Sequence, residues 1–172
     1  MKKHNIAHIF VLAILAFTFM GSDHGKKSKK IQWKTFEDGL ALAKKENKLL
    51  VVDFYTEWCH WCKVMDKDTY GDKGVIGLVK EHAVMSKVNP EISGQYRFRE
   101  ANYSGRQLSM MFGVKGFPTT AFINAKGELL ASISGFIPAE KFTMILKYLA
   151  GNWYDKMEFN EFVKKEQKKN KN

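Results

Sequence analysis

The apolar run Leu49-Leu50-Val51-Val52-Asp53-Phe54-Tyr55 leads through a short connection into Trp58-Cys59-His60-Trp61-Cys62-Lys63. That block holds both cysteines of the chain and two of its four tryptophans. A run so continuously apolar reads as a strand covered on both faces, which demands helices above and below it. The residues Lys63-Val64-Met65-Asp66-Lys67 then read as the opening of a helix. A strand, a short connection and a Cys-x-x-Cys at a helix start point first to redox chemistry.

The chemistry asks for those residues at that spacing. Disulfide exchange needs a thiolate, and the unpaired N–H groups of a helix N-terminus favour the Cys59 anion. Cys62 stands one helical turn on, within reach to attack a mixed disulfide and release product. Two cysteines exclude a disulfide framework, and a bridge over so short a loop adds little stability. A metal site would need further ligands, but there is no second cysteine pair, and the five histidines, at 4, 8, 24, 60 and 82, are scattered. Covalent haem attachment would want histidine where Lys63 stands. The expectation is a redox-active Cys59–Cys62 pair with no metal and no other cofactor. An inert structural pair and a metal site are the competing readings.

The neighbours carry alternatives of their own. A protonated His60 would stabilise the Cys59 thiolate and push the couple toward oxidation, whereas a ring in open solvent would have little influence. Trp58 and Trp61 offer a flat apolar surface for a peptide substrate, although Trp58 equally suits a partly buried core position. Asp53, the single acid of its strand, would have its pKa raised by burial. Alternatively, it is a strand-edge carboxylate facing water.

A net charge of +10 suggests nucleic acid until it is located. Residues 1–22 carry +2, 23–30 carry +3 and 156–172 carry +3, which leaves 16 basic and 14 acidic residues over 31–155. The excess lies in the flanks, so no nucleic-acid partner is expected, and solvated tails or a membrane surface suit it better. Lys2 and Lys3 precede the almost wholly apolar residues 6–20, the pattern of an export signal. Bulky Phe17, Phe19 and Met20 make a poor cleavage site, so an uncleaved membrane anchor is the alternative. Either way the domain is expected outside the cytoplasm, in a periplasmic or similar compartment.

The expected organisation is a signal or anchor at 1–22, a basic linker at 23–30, one domain at 31–150 and an extension at 151–172. A short strand at 31–33 precedes a helix at 35–48 capped by Thr35, with Asp38 at the box position. After the strand 49–55 come a helix from Cys59 to about Tyr70, more helix at 75–80, and a second buried strand at 83–89. Residues 91–104 are polar without a clear period and read as an irregular or partly helical excursion. A short helix at 105–112, a turn to Pro118, and a hairpin of strands 119–123 and 128–134 come next. Pro138 suits the first turn of a last helix over 139–149. The tail has an amphipathic half, read as a docked helix, and a charged end at 164–172, read as disordered.

Several stretches together resemble the thioredoxin-fold family. The block 52–63 resembles the thioredoxin active site, with the acid Asp53 six residues before the first cysteine. Lys87-Val88-Asn89 matches the lysine-bearing end of the next strand, and Val114-Lys115-Gly116-Phe117-Pro118-Thr119 matches the cis-proline loop. Gly135 fits the glycine that ends the hairpin, and the start at 31–48 is similar to an exported thioredoxin-like subgroup. The resemblance implies an α/β thioredoxin fold, a mixed central sheet flanked by helices. It also implies a proton-relay role for Asp53, with Lys87 across from it to temper its charge. Pro118 would be cis and face the dithiol, with the backbone of Phe117 pairing with a bound peptide. The sequence departs from the family in the His60-Trp61 dipeptide, where thioredoxin has Gly-Pro, and in the longer excursion at 91–104.

The function expected is an exported thiol–disulfide oxidoreductase acting on protein disulfides. Reduction is favoured by the buried acid, with electrons coming from a membrane partner. An oxidase or isomerase is the nearest variant. A thioredoxin-fold binding module, in which the cysteines are incidental, is the alternative from another class.

Overall fold

The computed structural model describes residues 30–169. The signal or anchor expected at 1–22, most of the linker and residues 170–172 lie outside the described residues. Among those described, no helix is long and apolar enough to cross a membrane.

The chain begins with β1 (Trp33–Lys34), α1 (Phe36–Glu46) and β2 (Leu49–Phe54). Helices α2 (His60–Asp68) and α3 (Lys73–His82) then lead to β3 (Ala83–Val88). A hairpin of β4 (Gln95–Phe98) and β5 (Ala101–Ser104) precedes α4 (Gly105–Met111). Strands β6 (Thr119–Ile123) and β7 (Leu129–Ser134) come next, then α5 (Ala139–Ala150), a 3₁₀ turn (Trp153–Asp155) and α6 (Phe159–Lys169). The main sheet has the order β1-β3-β2-β6-β7. Its β1, β3 and β2 are parallel, while β6 and β7 join antiparallel. This is the mixed sheet that the pattern of elements predicts, with β2 at its centre.

All six residues of β2 are buried. Alternation sends Leu50, Val52 and Phe54 to a core shared with α1 and α4, around Phe36, Leu108 and Phe112. It sends Leu49, Val51 and Asp53 to the opposite face, where Met65, Tyr70, Phe142 and Leu146 pack. Helix α1 lies close on the sheet at Gly39, where a Cβ would run into the Ser86 hydroxyl. Thr35 caps that helix, its Oγ1 accepting the Asp38 N–H at 3.1 Å.

Four expectations are corrected. Residues 91–104 are neither irregular nor helical: most of them form the β4–β5 hairpin, with Arg99 at its tip in the left-handed region at φ 49°. Phe98 anchors the hairpin, with ring centroids 5.8 Å from Phe36 and 5.3 Å from Phe112. The charged end of the tail is helical as far as Lys169, not disordered. Phe162 is buried against Tyr148 and Trp153, and that docking nucleates a helix which its own composition would not sustain. Helix α2 stops at Asp68 rather than near Tyr70, and Asp72 caps a separate α3 by accepting the Val75 N–H at 2.9 Å. Pro138 occupies the N-cap of α5, one residue before the first turn.

Candidate active site

The break between β2 and α2 positions the dithiol. Cys59 is the N-cap of α2, and its Sγ accepts the Cys62 backbone N–H at 3.1 Å. No acidic residue stands in the first turn of α2 to oppose a thiolate there. The pair is joined as a disulfide, S–S 2.07 Å, and both cysteines are buried. Cys62 and Met65, three residues apart, share the face of α2 that turns into the core. Asp53 projects from β2 toward that same side of the sheet.

The surroundings of Asp53 go beyond what its sequence position discloses. It is 1% exposed, and its Oδ1 has no hydrogen-bond partner. Lys87, its register partner on β3, brings Nζ to 3.4 Å from Oδ2. The same ammonium lies closer to Asp66, at 2.5 and 2.7 Å from the two carboxylate oxygens, and is flanked by the rings of Trp33 and Tyr55, each 4.8 Å away. Burial therefore dominates and raises the Asp53 pKa to about 6; Lys87 lowers it and Asp66 raises it further. A cavity of about 460 Å³, lined by Trp33, Asp66, Tyr70 and Lys87 among others, brings solvent to the outer end of this cluster. Asp53 is thus a buried carboxyl poised near neutrality, not a strand-edge carboxylate in water.

Two aromatic walls stand beside the dithiol. Trp58 is 68% exposed, which removes the core reading for it. Its indole N–H donates to both oxygens of Glu91 at 3.0 and 3.1 Å, and its ring meets Phe117 edge-on with centroids 6.0 Å apart. Trp61, 56% exposed, lies against Phe136 at 5.7 Å. His60 is exposed and stands edge-on to Trp61. The Phe117–Pro118 peptide is cis, and the Pro118 carbonyl accepts the Gly135 N–H at 2.8 Å. The structure thus gathers Cys59, Cys62, Trp58, His60, Trp61, Phe117 and Pro118 at one end of the sheet, with Asp53 and Lys87 beneath. Asp66, Tyr70 and Glu91 belong with them but carry no sign of it in sequence, since each sits in an ordinary polar or helical stretch. Among the described residues no cluster of three or more histidine, cysteine or acidic side chains is arranged to hold a metal ion.

Comparison with known proteins agrees with this geometry. The chain is 25% identical over 131 residues to the thiol:disulfide interchange protein DsbD of Photorhabdus laumondii, covering 74% of this chain but 21% of that protein. It is 28% identical over 110 residues to the disulfide bond reductase DsbH of Chlamydia pneumoniae, covering 63% of this chain and 64% of that one. A thioredoxin-fold protein from Helicobacter pylori superposes with a TM-score of 0.61 at 22% identity, over 71% of this chain and 81% of its own. The model of the thioredoxin-like domain matches residues 36–150, the span that carries every residue of the site but Trp33, and the chain belongs to the thioredoxin-like family.

Proposed function

We propose that this chain is a thiol–disulfide oxidoreductase that reduces disulfides of protein substrates outside the cytoplasm. The observation that carries this reading is the Cys62 N–H donated to Cys59 Sγ at the start of α2, with the Asp53 carboxyl buried on the face of the sheet that Met65 of α2 covers. The Cys59 thiolate attacks one sulfur of the substrate disulfide, forming a mixed disulfide and expelling the other substrate sulfur as thiolate. Cys62 then gives its proton to Asp53 and attacks Cys59 Sγ. The second substrate thiolate leaves, and the Cys59–Cys62 disulfide remains. Two electrons pass from dithiol to substrate, and the two substrate thiolates take up protons. With a pKa of about 6, Asp53 is mostly ionised at neutral pH yet close enough in basicity to accept a proton.

The negative charge below the dithiol supports the reducing direction. An anion there disfavours the thiolate that would stabilise a reduced, oxidising couple. The cycle then needs a donor of two electrons, which an oxidising compartment does not supply from a buffer, so a membrane electron-donor protein is the partner expected. The relative named as a disulfide bond reductase supports the same direction.

Two measurements test the reading. Cys62→Ser stops the reaction at the mixed disulfide, so this variant should hold substrate proteins in bonds that dithiothreitol releases; Cys59→Ser should hold none. The reduction potential of the wild-type pair should fall near ~ −270 mV, and a value near ~ −120 mV would reverse the direction proposed.

A further inference from the structure

A groove of about 280 Å³ lies beside the aromatic wall of the dithiol and has no part in the chemistry above. Its lining includes Pro90, Glu91, Arg106, Met110, Lys115 and Phe117. One wall is α4, where Arg106 and Met110 stand four residues apart on one face. The other wall is the segment 114–117 that leads into Pro118. The seat of α4 is fixed, because a Cβ on Gly105 would meet the Cα of Pro90 at 2.8 Å. At Gly116, by contrast, a Cβ would find nothing within 4 Å, so the backbone of that wall stands open to an incoming chain.

Two contacts join the groove to the dithiol. Phe117, in its lining, packs on Trp58, and Glu91, also in its lining, accepts the Trp58 indole N–H. A substrate strand that passes Cys59 and runs along residues 116–118 therefore enters the groove next. There it meets Met110, 64% exposed, and two exposed cations, Arg106 and Lys115. Neither cation forms an ion pair among the described residues. Glu91 is the one acid in the lining, and both its oxygens face the indole N–H. The groove thus presents an excess of positive charge beside a soft apolar surface.

We propose that this groove selects among protein substrates, taking the stretch that flanks the target cysteine and preferring one with an Asp or Glu carboxylate next to an apolar side chain. A carboxylate receives two parallel N–H···O bonds from the Arg106 guanidinium and charge from Lys115. The Met110 thioether adapts to apolar side chains of differing shape. The inference rests on the oxidoreductase reading and adds to it a substrate class.

The test uses the full chain, prereduced, and two reporter peptides with the same disulfide. One reporter has Asp and Glu flanking the cysteine and the other has Asn and Gln. Single-turnover reduction of the acidic reporter should be about tenfold faster at low salt. That ratio should fall toward one in about 0.5 M NaCl, and likewise in the Arg106→Gln, Lys115→Gln double variant. Charge reversal by Arg106→Glu, Lys115→Glu should invert it. Equal rates in the wild type, or a tenfold ratio that survives the double variant, overturn the selective role while the oxidoreductase reading stands. Reduction of neither reporter overturns the oxidoreductase reading, and the groove's role with it.

Discussion

Burial takes the Asp53 carboxyl from an ordinary value of 3.8 to about 6, and this has a thermodynamic and a kinetic consequence. Below pH 3.8 the group is neutral folded or unfolded and costs nothing. Between the two values the folded state keeps the proton that the unfolded chain releases, so stability falls as pH rises, and above about 6 the full cost is present. A gap of this size is worth about 3 kcal/mol as an upper bound, with the attraction to Lys87 already counted in it. Asp53→Asn should therefore stabilise the oxidised protein by about 1–3 kcal/mol at about pH 8 and by almost nothing at about pH 3.5, measured by urea unfolding at both. The same variant should slow resolution of the mixed disulfide by about 10²-fold and erase the limb of its pH profile near 6, which stopped-flow tryptophan fluorescence resolves. Asp53 is legible in sequence because it is a lone acid in an apolar run. Asp66 and Glu91 are not: both are acids in polar stretches, and only the approach of Lys87 to one and of the Trp58 indole to the other sets them apart.

At the scale of elements, the parts that composition alone describes poorly are those held by a single buried aromatic. In the β4–β5 hairpin, Tyr96 and Phe98 turn inward while Gln95 and Arg97 face solvent, a period of two that lasts four residues and is too short to stand out. Its tip carries Arg99 and Glu100 where a glycine or asparagine would have signalled a turn. Helix α6 obeys the same rule, since its basic sequence suggests disorder until Phe162 docks against Tyr148 and Trp153. Phe162→Ala should cost about 3 kcal/mol and expose α6 to limited proteolysis while the sheet stays intact; equal protection of α6 in both proteins would show that other contacts hold it. Ser104 is the opposite case, a capping signal with a local mechanism. It accepts the Gln107 N–H, and Gln107 Oε1 accepts the Ser104 N–H at 2.8 Å, so Ser104→Ala should cost about 1 kcal/mol in a denaturant titration. The long central strands and the dithiol helix are legible because their signals, continuous apolar runs and a Cys-x-x-Cys, are local and strong. The break between α2 and α3 is not, because it rests on the close approach of Gly71, where a Cβ would run into the Lys67 carbonyl, beside the Asp72 cap of α3.

For the whole molecule, folding and redox poise are two sides of one thermodynamic cycle. The stability difference between oxidised and reduced protein equals the difference in reduction potential between the folded and the unfolded pair, about 1.4 kcal/mol for each 30 mV. Two contributions favour the oxidised form here. Closing the four-residue Cys59–Cys62 loop removes only about 2 kcal/mol of chain entropy from the unfolded state, the low end for a disulfide. The reduced form, for its part, gains little, because the charge buried under α2 is the anion of Asp53 and its cation, Lys87, is shared with Asp66. The N–H groups of α2 pull the other way by favouring the Cys59 thiolate, by about 1 kcal/mol at a site so little exposed. The oxidised protein should therefore unfold at higher urea than the dithiothreitol-reduced protein, by on the order of 1–2 kcal/mol at about pH 7. A reduced form more stable than the oxidised one would mark a strong oxidant, and the direction of electron flow proposed for this chain would have to be reversed.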